Sequence, residues 1–431
     1  MATSTESSID SPLRSNRSFH GHVAAQYCGA FNDNLFKQLI LFLAARELFP
    51  DSDKQGVATA VFALPFVVFS GVAGDISERY SKRTIIVAMK VAETVIMLTG
   101  ALALQQRSWA GLLVVLFVMG THSAFFGPSK YGIIPELVGK MRLLSANGIV
   151  SMTTFLSIVL GQALAGPLLD RCGTRLWITG AWCVGIAVVG TIAALRIRKV
   201  PALRPNTAIR PFGSLLHSAR ELRNDPRVVR MLVLNATFWF NGGVIQQAVV
   251  GLGAPQYLAI PKDANSRLSM LLVSLATSIV VGSLCVPLAA RVVRLGKLVA
   301  FGAISMLGCQ AALAVTVSLM RSNAYLASLF LVSALGFTGA FFVVPVQTFL
   351  QYAPESGTRG KTFAVNNFLN FLCVFFAGAF YMLCATFKLH PGIASTLSAI
   401  PMCALLLAMR QTVLSIQKPG AVPPAPQARS Q

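Results

Sequence analysis

Charge is scarce in this 431-residue chain. Only 12% of its residues are Asp, Glu, Lys or Arg, about half the quarter usual in a soluble domain. Acids are scarcer still, 15 against 36 Lys and Arg. Five histidines without ligand spacing, and eight cysteines without a CxxC pair, exclude a zinc site and a redox dithiol. No metal or cofactor is expected. Cys172 is placed in an outer loop, and Cys28, Cys183, Cys285, Cys309, Cys373, Cys384 and Cys403 in apolar runs, where they read as small core residues. No nucleophile–base constellation stands near a membrane face, which argues against an enzyme. The Ser-rich first 18 residues hold no apolar stretch, so no cleavable signal peptide is expected.

Apolar residues are abundant instead: 55% of the chain, with a mean hydropathy of +0.66. Runs of about 20 such residues between short polar gaps predict an all-α membrane protein. Twelve spans are expected, roughly 22–45, 56–74, 84–105, 109–128, 143–165, 175–196, 228–252, 268–290, 298–320, 324–350, 361–385 and 391–413. The net charge of +21 does not point to nucleic acid, because the basic residues gather in the tails and between Arg196 and Arg230. That is the positive-inside pattern with both termini cytoplasmic, and a surface that attracts anionic lipid headgroups.

The chain repeats. Phe31-Asn32 and Lys37-Gln38 recur as Phe240-Asn241 and Gln246-Gln247, 209 residues on. Pro135-Glu136 precedes Ala146-Asn147 as Pro354-Glu355 precedes Val365-Asn366, 219 residues on. Two registers fit a duplicated six-helix unit with one insertion. The expected organisation is a disordered tail over 1–20, a first half over 21–196, a cytoplasmic linker over 197–227, a second half over 228–413 and a disordered tail over 414–431. Within the linker, Phe212 to Arg220 reads as an amphipathic helix lying on the membrane face.

Polar residues inside the spans mark the candidate site. Asn32, Asp33, Asn34, Lys37 and Gln38 interrupt span 1, where a charge costs at least about 2.5–3.5 kcal/mol and therefore faces an interior. Asp33 and Lys37 share a helical face at i, i+4 and are expected to neutralise each other. They form either a site for a polar group or a structural ion pair. Gly127-Pro128 is expected to end span 4, freeing carbonyls beside Lys130 and Tyr131 for a phosphate or zwitterionic headgroup, or else forming an ordinary turn. Lys90 and Glu93 are a candidate buried pair, for structure or for coupling. Asn147, Asn241, Gln347, Asn366 and Asn367 either line a cavity between halves or bond helices together, and the 209-residue repeat sets Asn241 and Gln246 opposite Asn32, Asp33 and Lys37 across one cavity.

Gly71-Val-Ala-Gly74-Asp75-Ile-Ser-Glu78-Arg79-Tyr80-Ser-Lys82-Arg83 follows span 2. Asp75 can pair with Arg79 at i+4, a latch that holds one conformation. The string resembles the G-x-x-x-D-x-x-x-R-x-x-R-R loop of the major facilitator superfamily. After span 8 the counterpart keeps Arg291, Arg294 and Lys297 without an acid. Phe31 to Gln38, Gly127-Pro-Ser-Lys130-Tyr131-Gly132-Ile-Ile-Pro135-Glu136, Phe341-Phe-Val-Val-Pro345-Val-Gln347 and Ala364-Val365-Asn366-Asn367 are similar to signatures of its lysophospholipid transporter family. That resemblance implies an alternating-access flippase in a bacterial inner membrane, and a monomer is expected. It would move lysophosphatidylethanolamine-like substrates inward for re-acylation, with a separate acyltransferase as a possible partner. Asp75, Arg79, Lys82, Arg83 and Glu136 would form its conformational gate. An ion-coupled carrier of a small polar solute or drug, with Asp33 carrying a proton or sodium ion, shares the fold and stays open.

Overall fold

Backbone N–H and C=O groups find no water in a bilayer, so apolar runs of this length close their hydrogen bonds as helices. The computed structural model describes residues 13–46, 53–138, 143–202, 213–352 and 359–414. Twelve long helices form among them: α1 Arg17–Arg46, α2 Gln55–Arg79, α3 Lys82–Gln105, α4 Trp109–Gly132, α5 Leu143–Cys172, α6 Leu176–Leu195, α7 Pro226–Gly251, α8 Asn265–Ala289, α9 Leu295–Met320, α10 Tyr325–Tyr352, α11 Arg359–Thr386 and α12 Pro391–Ala408. Eleven are long and apolar enough to cross a membrane; α1 is the other, 30 residues long but interrupted by its polar stretch. A shorter helix, Gly213–Leu222, lies in the linker.

Packing repeats as the sequence does. In the first six helices α1 meets α5 and α6, α3 meets α4 and α6, and α2 meets α4. The second six reproduce each pairing: α7 with α11 and α12, α9 with α10 and α12, α8 with α10. The halves meet mainly through α2 on α11 and α5 on α8. Many large apolar side chains face outward, Leu319 at 80% and Leu326 at 75% exposure. In water such a surface would be a liability; against lipid it is the ordinary exterior.

Three expectations change. Span 4 does not end at Gly127-Pro128, because α4 runs through Pro128 to Gly132. Span 5 does not stop at 165: α5 continues through Pro167, so Cys172 is its last residue rather than part of a loop. A proline forfeits one intrahelical bond, a loss neighbouring helices absorb in a packed bundle. The N-terminal tail is shorter than expected, since helix already begins at Arg17 inside the 1–20 segment. Pro354-Glu355 and the tail from 415 onward lie outside the described residues.

The face opposite the termini is closed. Phe66 and Phe371 stack at 3.8 Å between α2 and α11. Nearer that face, Gly56 and Gly378 bring the two backbones so close that a Cβ at either would collide with the other helix. Gln55 donates to the Gln247 carbonyl at 3.3 Å, and Tyr381 to Asp53 at 2.9 Å. Asp170 on α5 accepts the backbone N–H groups of Asn265 and Ser266 on α8 at 2.7 and 2.8 Å. On the termini's face the bonds described stay within one half: Lys82 with Glu136, Arg83 with the Ile197 carbonyl, Arg230 with Thr412.

Candidate functional site

Span 1 places its polar residues on different sides of α1, and the sides have different fates. Asn32 is fully buried and donates to Glu93 Oε1 on α3 at 3.1 Å. Glu93 is in turn held by Lys90 at 2.5 Å, both side chains almost wholly enclosed. His122 of α4 stands 3.9 Å from the same carboxylate. Room for the lysine comes from two glycines. A Cβ on Gly29 would lie 2.8 Å from its ammonium nitrogen, and one on Gly190 2.9 Å from its Cε. The candidate Lys90–Glu93 pair is therefore a built ionic core, with paired and hydrogen-bonded charges as burial demands.

Asp33, Asn34 and Lys37 are half-buried. The expected Asp33–Lys37 ion pair does not form among the described residues. Asp33 accepts the Ser123 hydroxyl at 2.5 Å, while the Lys37 ammonium sits 5.5 Å above the Phe62 ring. A helical i, i+4 spacing permits contact but does not compel it: a hydroxyl takes one Asp33 oxygen and an aromatic face lies under Lys37, while Asp33 Oδ1 is buried without a hydrogen-bond partner. Asn34 donates to the Ala30 carbonyl and lies 3.4 Å from Gln162 of α5. Gln38 accepts from Gln246 at 3.2 Å, a bond between halves.

Asn241, the counterpart of Asn32, turns the same way. It is fully buried and accepts from Gln310 of α9 at 2.8 Å and Ser398 of α12 at 2.7 Å. Neither Asn32 nor Asn241 is presented to an open space. The two halves thus carry matching asparagines, one bound to an ionic core and one to a neutral amide–hydroxyl cluster.

The remaining candidates are spread along the bundle. Lys130 is buried, its ammonium 3.3 Å from Thr154 and 5.0 Å from the centre of the Tyr131 ring, which is 52% exposed. Asn366 accepts from Asn235, which also donates to Asn370. Gln347 is exposed. The Asn147 side chain lies outside the described residues. The expected Asp75–Arg79 ion pair is not seen among the described residues: Arg79 is the last residue of α2 and covers the Tyr80 ring at 5.8 Å. An ion pair of this region joins Lys82 to Glu136, which also offers its carbonyl to Arg198. His122, Ser123, Gln310 and Ser398 were not singled out from sequence. Their signal was a polar residue midway along an apolar run, the same one that marked span 1.

Residues 25–378 match the family model described as Major Facilitator Superfamily. The lysophospholipid transporter LplT of Yersinia pestis (strain Pestoides F) is 29% identical over 371 residues, 83% of this chain and 84% of the relative. That of Yersinia pseudotuberculosis serotype I (strain IP32953) gives the same figures. Among solved structures, a bacterial homolog of the human lysosomal transporter Spinster, inward-facing and unoccupied, aligns with a TM-score of 0.66 at 17% identity, covering 95% of this chain and all of that one. A POT family transporter in complex with a thioalcohol-conjugated peptide aligns at 0.71 and 11% identity, covering 95% and 99%. At these identities the structures speak to fold alone.

Proposed function

This chain belongs to the Major Facilitator Superfamily, and we propose that it is a transporter that flips lysophospholipids, lysophosphatidylethanolamine-like in headgroup, by alternating access. The observation that carries this reading is that Asp33 and Lys37 do not neutralise each other. A phosphoethanolamine headgroup brings one anion and one cation, and α1 offers one of each on a single face. Asn34 lies on the same helix, Gln246 reaches Gln38 from the other half, and Lys130 with Tyr131 lies on the last turn of α4. The names of the Yersinia relatives support the same substrate class. The acyl chain stays against apolar helices or lipid while the halves rock about the midplane.

In this reading the membrane is a bacterial inner membrane, with both termini and the basic linker cytoplasmic. The closed face is then the outer one. Lys82 and Glu136, with Asp75, Arg79 and Arg83 nearby, serve as the gate on the cytoplasmic side. The transporter works as a monomer, and a separate acyltransferase re-acylates its product. A second reading, an ion-coupled carrier of a polar solute, draws on the buried Lys90–Glu93–His122 cluster behind Asp33.

Labelled lysophosphatidylethanolamine in proteoliposomes separates them. Asp33→Asn and Lys37→Gln should each slow flipping tenfold or more. The double variant, neutral again, should fold yet stay slow. A folded double variant that flips at the wild-type rate would make the two residues structural. Intact exchange with lost gradient-driven accumulation in Asp33→Asn would favour the carrier.

A further inference from the structure

Between the start of α1 and the end of α6, on the termini's face, lies a cavity of about 660 Å³. Arg17, His20 and Arg196 surround it, and Gly21, Ala24 and Ala193 form its floor. The two helices meet closely at this floor: a Cβ on Gly21 would come within 2.8 Å of the Ala193 carbonyl oxygen. Arg17 is the first residue of α1, and Arg196 directly follows Leu195, the last of α6. Both therefore stand where hydrocarbon gives way to headgroups.

Neither arginine is ion-paired among the described residues, and no carboxylate lines the cavity. Their neighbours differ, since Lys82 holds Glu136 and Arg198 the Glu136 carbonyl. A second, almost wholly apolar space of about 290 Å³ shares His20 and Ala24 and continues along Val23, Tyr27 and Ile149, with Arg14 also on its wall. Beside the basic cavity, Ile192 and Leu195 are more than half exposed, so this flank of the bundle is lipid-facing.

We propose that this paired basic and apolar cavity binds an anionic phospholipid of the leaflet on the termini's side. The phosphate sits between Arg17 and Arg196, and an acyl chain lies in the groove beside Tyr27. A free phosphate would leave the apolar groove unused, whereas a diacyl lipid fills both parts. The site is separate from the Asp33–Lys37 pair, lies on the outer flank of α1 and α6, and stands whether or not the substrate is a lysophospholipid. An arginine near the membrane surface contributes about 1 kcal/mol toward an anionic headgroup, roughly fivefold in retention.

The test uses the full chain, native mass spectrometry, and mixed micelles containing phosphatidylglycerol and phosphatidylcholine. Wild-type protein should retain phosphatidylglycerol preferentially. Arg17→Gln and Arg196→Gln should each lower that preference about fivefold, and the pair about twenty-five-fold. Ala24→Trp fills the cavity from an exposed position without removing charge, and should abolish the preference equally. Arg223→Gln, an exposed control in another part of the face, should leave it unchanged. If Ala24→Trp retains the preference, or Arg223→Gln loses it as Arg17→Gln does, the attraction is diffuse surface charge and the site does not exist. Displacement of phosphatidylglycerol by lysophosphatidylethanolamine at the concentration that half-saturates transport would make the cavity a substrate entrance, which also overturns the proposal.

Discussion

Asp170, close to the end of α5, accepts the backbone N–H of Asn265, the first residue of α8, at 2.7 Å. Its second oxygen takes the Ser266 N–H and the Ser266 hydroxyl, at 2.8 and 2.5 Å. One carboxylate from the first half thus caps a helix of the second. Tyr381 and Asp53 make the mirrored crossing, from α11 to the start of α2.

Removing the cap should open this face. A charge-assisted cap is worth about 1–2 kcal/mol, so Asp170→Ala should shift the equilibrium between closed and open about tenfold. Spin labels at exposed Arg171 and Lys262 should then report a longer separation. An unchanged distance distribution would deny Asp170 the role of a latch.

The ionic core behind Asn32 should be costly to break and cheap to replace whole. Glu93→Gln leaves Lys90 buried and unpaired, and should cost about 3–5 kcal/mol, read as a large drop in melting temperature in detergent. Lys90→Met combined with Glu93→Gln gives the first half a neutral amide like Gln310 and should recover most of that loss. No recovery would mean that the pair supplies more than charge balance.

On the termini's face, Lys82 and Glu136 should couple where Asp75 and Arg79 do not. A double-mutant cycle on Lys82→Ala and Glu136→Ala should yield about 1–3 kcal/mol in the conformational equilibrium. The same cycle on Asp75→Ala and Arg79→Ala should fall near zero, because the Arg79 guanidinium lies over the Tyr80 ring. The reverse ranking would restore the i, i+4 latch.

Asp53 should give the closed face a pH dependence. Burial raises its carboxyl above the ordinary 3.8, opposed by hydrogen bonds from Gln55 and Tyr381. The folded form therefore holds its proton longer than the unfolded chain does. The contribution of Asp53 to stability should be greatest at acid pH, fall as pH rises from about 3.8 to the raised value, and then level off. Melting curves of wild type and Asp53→Asn measured across this range should diverge, the variant lacking this decline. Parallel curves would remove Asp53 as the cause.

Orientation can be read by labelling. In an otherwise cysteine-free chain, retained Cys172 should react with an impermeant maleimide from outside. Arg220→Cys, in the linker helix, should react only from inside. Label reaching position 220 from outside would invert the proposed topology.

Much of the fold was legible because its cause is local. A run of some 20 apolar residues has one low-energy conformation in lipid, whatever its neighbours. The 209-residue repeat of Phe-Asn then placed Asn32 and Asn241 at equivalent points. Boundaries were misread at Pro128, which looked terminal, and at 165, beyond which α5 runs on through Pro167. There the bundle, not the local sequence, decides whether a lost hydrogen bond ends a helix.

Sequence by itself determined that the chain spans a membrane, that it is a duplicated helical unit, and which helices carry charge into the bilayer. Helical spacing sets where a side chain lies around its own axis, and so showed that Asp33 and Lys37 share a face. It says nothing about which neighbouring helix meets that face. Tertiary structure alone gave Asp33 to Ser123, Lys37 to Phe62, Asn32 to Glu93 and Glu136 to Lys82. A charge removed from water settles on whichever partner the packing brings nearest, and in this bundle those partners lie up to 90 residues away along the chain.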